Sequence, residues 1–406
     1  NLFSSFGTKR DPGTQTKPTY STQISRYEAE AIYRADGIGK RIVDIPAEEM
    51  TRKWFRVEGN DGDKRDNELN KLRAKQAFNK ALRWAGLYGG SVVLMFIDDG
   101  GDLQDEVNYN RVKGVDGLKV YDRHQVSSVL GSVQLDPDST WFGQSEIMRV
   151  TPINGTSFEV HCSRLLVFDG EDVPDRIRQQ NEGWGDSRLQ AVTRALSRHA
   201  EAMGGVSSII RDFIQPVLSM HNLSDLIASG QEEVVKSRLE ILGLSRSMLN
   251  VLLIDADEES YTKQASSVAG IDKLLIEIKH DISASTGMPQ TKLFGRAPEG
   301  QNSSGESQTR DFYDTVQGEQ EDKVLPHATT LVWLLDKADG ANPDADDRAI
   351  KFEPLWQESQ LQRATTFKTL VDGVALALDY GAIDEAQADE ILGTSDIMPE
   401  RRDVSG

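Results

Sequence analysis

The chain has 406 residues, enough for two or three domains and a sizeable core. Its formal net charge of −19 and pI near 4.8 argue against tight nucleic-acid binding, which needs Lys and Arg to release counterions from phosphate. The single cysteine, Cys162, excludes an intrachain disulfide framework and Cys-rich zinc sites and fits a reducing compartment, and no apolar run approaches the ~18 residues of a membrane helix.

Residues 1–24 are rich in Thr, Ser, Pro and Gly without periodicity and are expected to form an extended arm. The chain begins at Asn1, so further residues are expected to precede it, and no signal peptide is visible at this start. Helix signals begin in "SRYEAEAIYRADGIGKRIVDIPAEEMTRKW". Ala31, Tyr33, Ile38, Ile42, Val43 and Ile45 supply the apolar positions, Gly37 and Gly39 interrupt them, and Pro46 restarts a short turn. "KWFRVEG" reads as a strand. In the next stretch Leu69, Leu72, Ala77, Ala81, Leu82 and Ala85 keep helical spacing, Gly89-Gly90 ends that helix, and "SVVLMFI" follows as a core strand. Residues 99–170 are β-rich, with strands in "GLKVYDRHQVSSVL", "SEIMRVTP" and "SFEVHCSRLLVFDG".

A long helix is predicted from Ser187 to Phe213 on Leu189, Val192, Leu196, Met203, Val206, Ile210 and Phe213; Gly204-Gly205 weakens its middle and Pro216 ends it. A small mixed segment at 214–267 holds a helix in "SGQEEVVKSRLEIL" and a strand in "MLNVLLIDAD". A second helix runs from Val268 to Thr286, where Val268, Ile271, Leu275, Ile278 and Ile282 recur at three- and four-residue steps, close to a heptad seam. After a loop, a long helix spans Ser304 to about Lys337 and is expected to kink at Pro326, which lacks an N–H and clashes one turn back. The acidic tail "SQLQRATTFKTLVDGVALALDYGAIDEAQADEILG" reads as two or three short helices.

The loop, "GMPQTKLFGRAPEGQNSSG", invites a phosphate-cradle reading, which fails on spacing. Gly295 and Gly300 are followed by Gln301 and Asn302 where a P-loop needs Lys and Ser/Thr, and the preceding segment is helix rather than strand. Ser303 and Glu306 have the S-x-x-E form of a capping box opening the next helix. A loop this long inside a compact chain is often functional.

Catalytic patterns are sparse. His161-Cys162-Ser163 and His327-Ala328-Thr329 repeat the H-x-[ST] form of the 2H phosphoesterases, in which two His act as acid and base. The second lies after Pro326 within a helix, whereas that chemistry needs both motifs on strands facing one groove. Asp255, Asp257, Glu258 and Glu259 are oxygen ligands in number, but they lack EF-hand spacing and read as a solvated acidic turn. There is no H-E-x-x-H, G-x-S-x-G or Rossmann fingerprint.

Three stretches carry a resemblance: "YRADGIGKRIVDIPAEEMTRKWF", "VHCSRLLVFDGEDVPDRI" with "GWGDSRLQ", and "STGMPQTKLFGRAPEGQNSSGESQTRDFYDTVQGEQEDKVLPHATTLV". Together they resemble the portal proteins of tailed bacteriophages over most of residues 25–340. The third is the most specific, a helix followed by G-x-P-x-x-x-L-F-G and then N-x-S-G-E opening another helix. The resemblance implies an α+β portal fold with a mixed α/β wing, a two-helix stem, a small α/β clip, a long kinked helix and a helical C-terminal crown. It divides the chain into the N-terminal arm (1–24), the wing (25–185), stem helices (187–213 and 268–286) and the clip (214–267). The tunnel loop (288–304), the long wing helix (304–340) and the C-terminal wing end and crown (341–406) follow.

The resemblance also implies a function. Portals form a ring, usually dodecameric, at one capsid vertex, through which double-stranded DNA is packaged and ejected. The implied partners are further copies of the chain, that DNA, the major capsid and scaffolding proteins, terminase and the head-tail adaptor, with no membrane, cofactor or metal. Assembly would take place in the host bacterial cytoplasm and residence would be in the virion. Lys292, Arg296, Gln301 and Asn302 would face DNA from the tunnel loop. Leu196, Met203, Ile271, Leu275, Ile278 and Ile282 would pack the stem. An acidic channel would keep DNA from sticking, since basic walls would add counterion-release affinity at every step. The leading expectation is thus a conduit with no catalytic activity. The alternative is a 2H-like phosphodiesterase acting on nucleotide second messengers through His161 and His327, because the same subgroup includes proteins described as anti-CBASS phosphodiesterases. A third reading is an unrelated α/β scaffold protein.

Overall fold

In the computed structural model the described residues are 23–59, 61–134, 136, 138, 145–213, 217–220, 223–230, 233, 237, 252–255, 270–295, 305–341, 348–356, 360–384, 387–388 and 391–392. Residues 1–22 of the predicted arm (1–24) and all but four residues of the helix expected in "SGQEEVVKSRLEIL" lie outside them.

Helix α1 (Arg26–Ala35) starts at Ser25, whose hydroxyl accepts the Glu28 N–H, and α2 (Gly37–Arg52) starts at Asp36, whose carboxylate accepts the N–H groups of Ile38 and Gly39. Pro46 lies inside α2 rather than restarting a turn. The helix stays continuous there because Ile42, Val43, Ile45, Ala47 and Met50 are all buried, and that burial outweighs one missing hydrogen bond. Strand β1 (Phe55–Glu58) leads to α3 (Gly62–Lys71) and α4 (Ala74–Tyr88). The sequence reads these two as one helix. They are separated at Arg73, which adopts φ 53°, and the turn lets Leu69, Ala74 and Phe78 enter one core.

Strand β2 (Gly90–Asp98) is the centre of an antiparallel sheet ordered β3-β2-β7, between β3 (Gly114–Asp122) and β7 (Leu165–Asp169); Val93 pairs with Val120 on one side and Leu166 on the other. Its uninterrupted apolar run is explained by burial on both faces. Val93, Met95 and Ile97 enter the main core. Val92 and Leu94 enter a second cluster with Tyr121, Val126, Val150, Val160, Leu165 and Trp184. That cluster is roofed by a second sheet of β4 (Val126–Ser128), β5 (Ile147–Val150) and β6 (Phe158–His161). The predicted single strand "GLKVYDRHQVSSVL" is broken into β3 and β4, because Asp122 and Gln125 form a capping box over a short 3-10 turn. A β-carbon at Gly90 would lie 2.1 Å from Trp184, so the "YGGS" and "GWGDS" stretches approach as closely as only glycine permits.

Helix α5 (Asp175–Gln180) precedes α6 (Arg188–Phe213), which runs unbroken for 26 residues through Gly204-Gly205. β8 (Val217–Met220), α7 (Leu223–Ala228) and β9 (Leu252–Asp255) follow, with β8 and β9 pairing in parallel. α8 (Ile271–Thr286) returns against α6. The remaining elements are α9 (Gln290–Phe294), α10 (Glu306–Lys323), α11 (Leu325–Ala338), β10 (Ala349–Phe352) and α12 (Gln360–Asp379). The predicted long helix is divided at Val324 (φ −107°, ψ −47°), which leaves Pro326 in the first turn of α11, where its missing N–H costs nothing. In the tail, where two or three short helices were expected, α12 is a helix of 20 residues, and among the described residues 387–388 and 391–392 are helical as well. β10 pairs antiparallel with β1, Phe55 opposite Phe352, and ties residues 349–352 back to the start of the fold.

Candidate functional site

The segment between α8 and α10 is bracketed by backbone that only glycine adopts readily. α8 ends at Gly287 (φ 66°) and α9 ends at Gly295 (φ 69°). α10 begins after Gly305, also left-handed, with no side-chain cap, so Glu306 is the first helical residue and the predicted Ser303/Glu306 box is not the start signal. Residues 296–304, which include Arg296, Gln301 and Asn302, lie outside the described residues.

The first half of this segment is not a free polar loop. Met288 is 4% and Leu293 2% exposed, and both belong to the main core. Ser283 donates to the Met288 carbonyl and Arg41 to that of Lys292. Lys292, expected on the loop surface, sits in α9 and donates from Nζ to Glu49 Oε1 at 2.7 Å and to the Tyr313 hydroxyl at 2.8 Å. The Arg52 Nε takes the other Glu49 oxygen at 2.6 Å, and both cations lie over the Tyr313 ring, at 5.2 Å (Arg52) and 4.9 Å (Lys292). Burial alone would lower the Lys292 pKa, but the Glu49 carboxylate and Tyr313 raise it above the ordinary lysine value, so the ammonium stays charged. Within one chain this cluster acts as a clamp on the loop's first end. Glu49 and Tyr313 were missed by the sequence reading; the available signal was the three carboxylates, Asp44, Glu48 and Glu49, inside the otherwise apolar run from Ile42 to Met50.

The two long helices pack unevenly. Leu196 is 5% exposed and Ile282 fully buried, and Arg198 bridges to Asp281 at 3.0 Å. Ile271, Leu275 and Ile278 are half-buried along the same stripe. Farther along, Met203 is 45% and Leu274 59% exposed, so the pair leaves apolar side chains uncovered at that end.

A family model described as "Phage portal protein" matches residues 27–376. The chain belongs to the phage portal protein family. Its fold is that of chains in three gene transfer agent (GTA) particle structures, each covering 93% of this chain and 95% of the other. The neck of the native particle computed with C12 symmetry matches at TM-score 0.52 and 16% identity. The virion of the native particle matches at 0.51 and 14%, and the neck of the empty particle computed with C6 symmetry at 0.53 and 15%. Among curated relatives, a protein of Caulobacter sp. named "Anti-CBASS protein Acb1" is 28% identical over 397 residues, 92% of this chain and 61% of the relative. One of the same name from Sphingomonas paeninsulae is 24% identical over 395 residues, 94% and 62%. An uncharacterized protein of Haemophilus influenzae is 27% identical over 378 residues, 91% and 84%. The chain thus spans about three fifths of the length of the two Acb1-named relatives.

In this portal-family chain the two H-x-[ST] motifs stand on different elements, each with its own local partner. His161 ends β6, and its Nδ1 is engaged by the Ser163 hydroxyl at 2.8 Å and the Ser163 N–H at 3.2 Å. His327 lies on α11 with its ring 4.4 Å from that of Phe168, and burial pushes its pKa down to about 4. Among the described residues no His/Cys/Asp/Glu group is placed to hold a metal, and no helix is long and apolar enough to cross a membrane. Most of the acidic turn at Asp255–Glu259 lies outside the described residues.

Proposed function

We propose that the chain is the portal of a tailed phage or phage-like particle, copies of which close into a dodecameric ring at one capsid vertex around a channel for DNA packaging and ejection. The observation that carries this reading is the extent of the likeness: a family match over residues 27–376 and a shared fold over 93% of the chain. It therefore spans the proposed wing, stem, tunnel loop and long helix together rather than one module. The uncovered side chains Met203 and Leu274 support a neighbour on the stem, since a ring closes through contacts between different faces of successive copies. One of the similar neck structures was computed with C12 symmetry, the order adopted here for the ring. In this reading terminase and then the head-tail adaptor dock on the clip, and capsid and scaffolding proteins meet the wing. The ring assembles in the host cytoplasm and stays in the virion. Arg296, Gln301 and Asn302 face the DNA, and Lys292 anchors the loop that presents them.

The experiment is native mass measurement and electron microscopy of the full chain. A closed ring of many copies is expected, and a species that stays monomeric or dimeric across protein and salt concentrations overturns the reading.

A second reading is the phosphodiesterase acting on nucleotide second messengers that the sequence resemblance offered as its alternative, and the two relatives named "Anti-CBASS protein Acb1" are the finding that favours a role other than a conduit. Its candidate pair is weakened by His161 being held by Ser163 and His327 being packed, tilted, against Phe168. Hydrolysis of a cyclic oligonucleotide by the purified chain, lost on His327→Ala, would favour it over the conduit.

A further inference from the structure

A cleft of about 730 Å³ opens between α1, α4 and β3, with the 152–154 turn at its rim. That volume is in the range of small-molecule sites. Each wall carries both a cation and an aromatic ring. On α1, Tyr33 and Arg34 follow Glu30 by three and four residues. On α4, Lys80 and Trp84 are one turn apart, and on β3, Lys119 and Tyr121 alternate onto one face.

The charges in the cleft are unlike those of the whole chain, which carries −19. Its two carboxylates are already engaged. Glu30 accepts from Arg26 at 2.8 Å and from the Tyr88 hydroxyl at 3.2 Å, and Asp122 caps the His124 N–H at 2.9 Å. Arg34 and Lys80 are exposed and have no hydrogen-bond or ion-pair partner among the described residues. The aromatic rings differ in the same way. Lys40, Arg26 and Lys119 lie over Tyr33, Tyr88 and Tyr121, at 4.4, 6.0 and 5.4 Å. No cation among the described residues lies over Trp84, which meets Tyr33 edge-on at 6.2 Å and Tyr88 at a tilt at 5.8 Å.

We infer that this cleft binds a nucleotide unit, its base stacked on the Trp84 indole and its phosphate held by Arg34 and Lys80. An aromatic platform beside unpaired cations is the arrangement by which proteins take bases and backbone of unpaired nucleic acid. A purely acidic peptide would use the cations and leave the indole idle. The chain's own arm is a poor occupant, because Lys9, Arg10 and Lys17 outnumber Asp11 and repeat the sign of the cleft. The same chemistry is offered by a free nucleotide and by one nucleotide of a single strand. The inference does not depend on ring formation.

The test titrates the full chain with thymidine monophosphate and with a labelled short oligothymidylate, reading tryptophan fluorescence and anisotropy. Saturable binding is expected. Saturation by the monophosphate assigns a free nucleotide, and saturation by the oligomer alone assigns a strand. Arg34→Gln with Lys80→Gln should weaken binding at least tenfold. Trp84→Leu should weaken both probes while leaving far-ultraviolet circular dichroism unchanged; if that variant misfolds, Trp84→Phe, which keeps a stacking face, should retain binding. Failure of both probes to saturate overturns the inference. So does equal competition by polyglutamate, or binding that is indifferent to the Arg34/Lys80 pair.

Discussion

Lys292 of α9 and Glu49 of α2 meet at 2.7 Å across a sequence separation of 243 residues, and Arg52 closes the other side of the same carboxylate. Glu49 is 9% exposed, so its charge needs both cations, and α9 is held against α2 by that need.

Breaking the clamp from one side should therefore cost more than removing it. Lys292→Met is expected to lower stability by about 1–3 kcal/mol, because a nearly buried carboxylate loses a partner. Lys292→Met together with Glu49→Gln should cost less than the sum of the two single changes. Denaturant midpoints for the three variants check this; additive losses would mean that the two groups are energetically independent.

Acid should destabilise the fold through two partly buried histidines. His327 and His124 are both pushed by burial to a pKa of about 4 from an ordinary 6.5, with Arg123 and Arg26 adding to the depression at His124. The unfolded chain takes up these protons at higher pH than the folded one, so stability is full above about 6.5 and falls as pH drops through that window towards 4. Asp99, Glu171 and Asp339, all held below the ordinary carboxylate range, add a further loss only at lower pH. His327→Gln should flatten the slope between pH 6.5 and 4 without changing assembly at neutral pH. A slope in urea midpoints that survives in His124→Gln/His327→Gln would contradict the assignment.

Arg65 and Asp336 are 1% and 0% exposed and bonded at 2.7 Å, joining α3 to α11, and Arg348 takes the same Asp336 oxygen at 2.9 Å. Asp336→Ala removes the buried carboxylate that both guanidinium groups share, leaves Arg65 with Glu68 and Asp339, and is expected to cost about 1–3 kcal/mol. Arg65→Met in that background should recover part of it. Thermal melts of the single and double variants decide, and a double variant worse than Asp336→Ala alone would show that Arg65 has other essential roles.

What the sequence made legible was periodic. Leu196 and Ile282 lie on stripes that the spacing marks, and "SVVLMFI" announces a strand buried on both faces. What it hid was set by contacts distant in the chain or by single backbone conformations. Nothing near Arg73 signals φ 53°, and Pro46 reads as a break because the burial that sustains α2 is tertiary. Lys292 looked free since its neighbours Gln290 and Thr291 are polar, while Glu49 and Tyr313 come from two other helices. The division into wing, stem, clip and loop came from resemblance to a family, which encodes a shape that no local pattern contains.

In the portal reading the two ends of the proposed tunnel loop should respond differently to charge reversal. Lys292 is engaged within its own chain, whereas Arg296 follows Gly295, where α9 has ended and the anchoring contacts of Met288 and Leu293 are behind it. In the portal reading a charge reversal at Arg296 acts only where DNA passes, so Arg296→Glu should leave stability and ring formation at the parent values. It should change DNA packaging or retention, since it adds repulsion to a polymer bearing one charge per ~1.7 Å. Lys292→Glu should instead lower stability first, because it sets a second carboxylate against Glu49, and any packaging defect should follow the loss of intact rings. Particles assembled with each variant, counted for rings by microscopy and for packaged DNA by nuclease protection, give the two readouts separately. Normal packaging by Arg296→Glu would remove this loop from the DNA path, whatever the ring's other contacts prove to be.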